Sequence, residues 1–129
     1  MEIRIPFNRP FMVGGEFEGM RAAFDGLTIS EGGPYTRRCE ALLEEMTGAP
    51  AVLLTSSCTH ALEMAALLLD LGPGDEVVVP SFTFTSTANA FAMRGARPVF
   101  ADVREDTLNI DERLTPALIS ERTRAIIVV

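Results

Sequence analysis

From residue 51 onward, short apolar runs alternate with longer stretches whose apolar residues recur every three or four positions. The runs are Ala51–Thr55, Val77–Val79, Arg97–Asp102 and Thr123–Val129. The periodic stretches are Ala61–Leu71, Thr85–Arg94 and Asp111–Ser120. The runs have strand length and the stretches have the helical period, so the pattern predicts β-α-β-α-β-α-β. That alternation requires a mostly parallel sheet with helices on both faces, an α/β fold. Val77-Val78-Val79 has no polar alternation, as expected of a strand covered on both sides. Gly72-Pro73-Gly74 and Gly95 supply the breaks between elements.

The first fifty residues follow another pattern. Residues 1–15 read as an arm, because Pro6 and Pro10 exclude regular helix and Gly14-Gly15 closes it. Glu16–Phe24 predicts a short helix, and Asp25–Pro34 a loop ending in Gly32-Gly33-Pro34. Tyr35–Met46 predicts a second helix with Thr36 at its start, stopped by Gly48. The expected organisation is therefore an arm, flap loop and helices over 1–50, then a partial α/β domain over 51–129.

With 47% apolar residues in 129, the chain can bury a core. Its net charge of −7 argues against nucleic acid as a partner, which calls for a basic face. All eleven basic residues are arginine, and there is no lysine. No apolar stretch is long enough for a membrane span, and residues 1–6 lack the pattern of a signal peptide. Cys39 and Cys58 form neither a disulfide framework nor a metal spacing, so a reducing cytoplasm and no metal are expected.

In open α/β sheets ligands bind outside the carboxyl ends of the strands. Two such ends are rich in functional groups. The first is Thr55-Ser56-Ser57-Cys58-Thr59-His60, where a helix start offers unpaired N–H groups beside several hydroxyls. It suits a phosphate, and it equally suits ordinary N-capping by Ser or Thr. His60 is the sole histidine, and at a phosphate site its useful group is the backbone N–H. Cys58 sits where a thiolate is favoured, yet no base accompanies it. The second end is Pro80–Thr87, where Phe82 or Phe84 either stacks on a ligand ring or belongs to the core.

Several stretches resemble the start of the DegT/DnrJ/EryC1/StrS sugar aminotransferases. They are Ile5–Pro10, Gly33–Thr36, Leu53–Thr59, Pro73–Val77, Pro80–Phe84 with Ser86–Ala90, and Asp106–Asp111. The resemblance implies the N-terminal part of the large domain of an aspartate-aminotransferase-type fold that uses pyridoxal 5′-phosphate (PLP). It implies a homodimer that moves an amino group, usually from glutamate, to a nucleotide-linked keto-sugar. The run Glu63–Asp70 is similar to members acting on dTDP-4-dehydro-6-deoxyglucose in cell-surface polysaccharide synthesis.

By the same resemblance Thr59 and His60 hold the cofactor phosphate and Phe84 stacks on its pyridine ring. Asn8 and Arg9, in the arm with Phe7, and the loop Thr28–Tyr35 lie near the nucleotide-sugar. His60 departs from the small residue usual at its position. The lysine and the acid that PLP chemistry needs come later in the family's chain. The sequence is thus expected to be the front of a longer enzyme, inactive alone. Two alternatives stay open: a catalytically dead module for binding or dimerisation, and a PLP-dependent sugar dehydratase in which histidine replaces the lysine.

Overall fold

The computed structural model describes residues 5–6, 8–26, 29 and 32–129. These fall into two compact units, 1–54 and 55–129.

The first unit holds two helices, α1 (Glu16–Asp25) and α2 (Pro34–Thr47). The Glu16 carboxylate accepts the N–H groups of Val13 at 2.6 Å and Gly14 at 2.9 Å, which ties the arm to the start of α1. Its own backbone N–H, then those of Val13 and Gly14, hold the Glu16 carboxyl below its ordinary range. Pro34 opens α2, where a missing N–H does no harm. Gly48 closes it in the left-handed region at φ 72°, its N–H bonded to the Glu44 carbonyl at 2.8 Å.

Residues 51–55, expected to be a strand, join no sheet among the described residues. Their amides turn to α2 instead. Val52 N–H donates to Glu44 Oε1 and Leu54 N–H to Glu40 Oε1, each at 3.2 Å. Alternate amides thus find carboxylates one helical turn apart, which satisfies the backbone without a neighbouring strand.

The second unit contains α3 (Cys58–Leu68), β1 (Glu76–Pro80), α4 (Thr85–Ala92), β2 (Arg97–Ala101) and β3 (Thr123–Ile126). The sheet is fully parallel in the order β2-β1-β3. Its register pairs Val78 with Val99 on one side and with Ile126 on the other. Every residue of the central strand is buried. Val77 and Val79 share a face and form the core with Ala66, Leu71, Phe91 and Ala96. Leu62 of α3 and Ala88 of α4 pack against that cluster. Val78, on the opposite face, is equally closed to solvent. Gly95 is required between α4 and β2: its φ is 88°, and a Cβ there would lie 3.0 Å from Pro73 Cγ.

The amino edge of the sheet is held by Glu76, whose side chain is almost fully buried. It accepts from Arg97 Nη2 at 2.5 Å, just where β2 begins. It also pairs with Arg122 Nη2 at 2.7 Å and accepts the Ser120 hydroxyl at 2.8 Å, both just before β3. One carboxylate therefore links the starts of all three strands. The Arg97 hydrogen bond, then that of Ser120, holds its pKa below the ordinary glutamate range.

Two further expectations are corrected. The helix expected over Asp111–Ser120 is only a 3-10 turn, Thr115–Leu118. Asp111 accepts the Arg113 N–H through its side chain, while its carbonyl takes the N–H and hydroxyl of Thr115. Pro116 then lacks the N–H that a longer α-helix would bond back to the Glu112 carbonyl. The last strand stops at Ile126 rather than Val129. Ile127 N–H still donates to the Val78 carbonyl at 2.8 Å, but the next ladder bond would need an N–H on Pro80.

Candidate functional site

The turn Thr55–His60 leads into α3, which begins at Cys58, three residues earlier than its apolar period indicated. Ser57 is the N-cap, with extended backbone, and its Oγ accepts the His60 N–H at 3.2 Å. Its carbonyl accepts the Ala61 N–H at 3.1 Å. The capping reading of this turn is therefore realised, and the His60 amide, expected to face a ligand, is already engaged. The imidazole folds back on the turn, with Nδ1 2.7 Å from Ser56 Oγ. Thr55 Oγ1 donates to the Ser57 carbonyl at 2.8 Å.

What remains open is specific. The N–H groups of Cys58 and Thr59 precede any intrahelical acceptor, and the Thr59 hydroxyl has no hydrogen-bond partner among the described residues. Three donors thus stand at the positive end of the helix, with no acidic residue in its first turn. The Cys58 thiol is exposed, and no base is bonded to it.

The second strand end is that of β1. After Pro80 the chain bends through Ser81–Thr83, and Phe84 becomes the residue before α4. Its carbonyl accepts the Thr87 N–H at 2.9 Å. Thr83 and Thr87 share a hydroxyl hydrogen bond at 2.8 Å, and Thr87 is buried. These hydroxyls therefore build the turn. Neither aromatic is core: Phe82 is 61% and Phe84 75% exposed, whereas Phe91 fills the interior.

Phe82, Thr83 and Phe84 form one wall of an open cavity of about 500 Å³. Thr107, Leu108 and Asn109 form the other, and Val129 closes one side. The second wall is a hairpin that follows β2. Val103 and Ile110 pair antiparallel, and Arg104 N–H donates to the Asn109 carbonyl at 2.9 Å. The Arg104 guanidinium clamps Asp106 at 2.7 Å and Glu112 at 3.0 Å. Leu108 sits in the left-handed region at φ 60°. Val103 and Ile110, flanking a six-residue segment polar at all but Leu108, were the signal for this hairpin.

Thr59, His60 and Phe84 thus lie in one unit, at the starts of two helices that pack on each other. Thr59 and His60 do not line the cavity beside Phe84. Asn8 and Arg9 belong to the first unit and are exposed. Phe7 and Thr28 lie outside the described residues. Among the described residues no group of acidic, cysteine or histidine side chains could hold a metal.

The model of the DegT/DnrJ/EryC1/StrS aminotransferase family matches residues 13–129. The chain belongs to this family. Among its relatives, the spore coat polysaccharide biosynthesis protein SpsC of Bacillus subtilis (strain 168) is 36% identical over 123 residues. That match covers 95% of this chain and 31% of SpsC. Spr1654 of Streptococcus pneumoniae, named as a sugar aminotransferase and solved in its PMP form, superposes with a TM-score of 0.84 at 34% identity. The superposition covers 96% of this chain and 31% of Spr1654. The aminotransferase TlmJ of Streptoalloteichus hindustanus gives 0.82 at 40% identity, covering 91% of this chain and 32% of TlmJ.

This DegT/DnrJ/EryC1/StrS chain therefore spans about a third of the length of the relatives it matches. PLP is the cofactor of the family, and Spr1654 is also known in its PLP form. The residues present fit parts of that group. Three open donors at α3 suit a phosphate, and a largely exposed phenyl ring at the edge of a cavity suits a flat ring. The lysine that would anchor the cofactor is absent from these 129 residues.

Proposed function

We propose that this chain forms the front of the cofactor-binding domain of a PLP-dependent nucleotide-sugar aminotransferase. The observation that carries this reading is the pairing of two features at strand and helix ends of one unit. They are the open donors of Cys58 and Thr59 and the exposed ring of Phe84. PLP, when bound, supplies an electron sink for amino-group transfer. Thr59 donates from its amide and hydroxyl to the phosphate, and the Cys58 amide adds a third donor. His60 stands in the same turn, and its amide joins only if Ser57 gives up the cap. Phe84 stacks on the pyridine ring and keeps water from one face.

In the arm, Arg9 pairs with the diphosphate of the sugar nucleotide and Asn8 hydrogen-bonds the same ligand. The acceptor is dTDP-4-dehydro-6-deoxyglucose and the amino donor is glutamate, in cell-surface polysaccharide or deoxyaminosugar synthesis. The active protein is a cytoplasmic homodimer. The present residues bind and orient, and the isolated chain does not transaminate because it has no lysine. Among the described residues no helix is long and apolar enough to cross a membrane.

The test compares a longer protein carrying this chain with its Phe84→Ala and Arg9→Ala variants. Glutamate-dependent amination of dTDP-4-dehydro-6-deoxyglucose should need added PLP. Phe84→Ala should raise the PLP requirement, and Arg9→Ala the KM for the sugar nucleotide. Failure to aminate any nucleotide-linked keto-sugar would sink the activity. Unchanged constants in both variants would sink the residue roles.

A further inference from the structure

We draw no further inference here: the strongest candidate, the open apolar cavity of about 390 Å³ beside Met20 and Phe24 of α1 and Tyr35 of α2, is an unpartnered apolar face, and nothing in the structure shows what covers it.

Discussion

Glu76 and Asp111 are buried carboxylates, and both are held below their ordinary pKa by arginine. For Asp111 the side-chain bond from Arg113 dominates and brings it to about 2. A carboxyl lowered by folding stabilises the fold above its unfolded pKa and loses that contribution as pH falls through the folded value. Stability should therefore be flat near neutrality and fall as pH drops from about 4 toward 2. Glu76→Gln should lower the urea midpoint at pH 7 and flatten the acid slope; an unchanged slope would remove Glu76 from this role. Two further residues separate capping from binding. Ser57→Ala should cost about 1 kcal/mol in urea unfolding, as loss of an N-cap does. Phe84→Ala should leave stability within about 0.5 kcal/mol, since the ring is largely exposed. It should also weaken PLP binding by about 0.5–1.5 kcal/mol, roughly two- to twelvefold. The strand end made an aromatic legible but left Phe82 and Phe84 equal; only the family resemblance singles out Phe84. Glu76 was not legible, because its partners lie 21 and 46 residues away in sequence.

Among the elements, the central strand and the two helices packed on its core face were the most legible. Val77–Val79 needs cover on both sides, and Leu62 with Ala66 in α3 and Ala88 with Phe91 in α4 stand at helical spacing. Phe91→Ala should accordingly cost about 3–5 kcal/mol, the range for a buried phenylalanine. That is a large share of the roughly 5–15 kcal/mol that holds a domain together. A loss below about 1 kcal/mol in denaturant unfolding would show that Phe91 is not central to the core. The segment 51–55 was misread because apolar composition reports burial, not a hydrogen-bonding partner. Its amides use Glu40 and Glu44, residues that look like solvated positions on a helix. Replacing both by alanine should speed hydrogen exchange at Val52 and Leu54 several-fold and leave β1 amides unchanged. Equal exchange in the variant would mean that those contacts contribute nothing. The Asp111–Ser120 stretch failed for a different reason: Pro116 and the Asp111 turn ended it within one turn.

At the scale of the whole chain, family and fold were legible over nearly its full length: the family model matches residues 13–129, and solved structures at 33–40% identity share the fold. The chemistry divides more sharply. The groups proposed to cradle a phosphate and a flat ring lie within these residues, and the lysine does not. Titrating the 129-residue chain with PLP, and separately with pyridoxal, while following amide and side-chain NMR signals tests that division. PLP should shift Cys58, Thr59 and His60 together with Phe84. Pyridoxal, without the phosphate, should shift Phe84 with little effect on the α3 start. Shifts confined to other surfaces, or identical responses to the two ligands, would contradict a phosphate seat at Thr59.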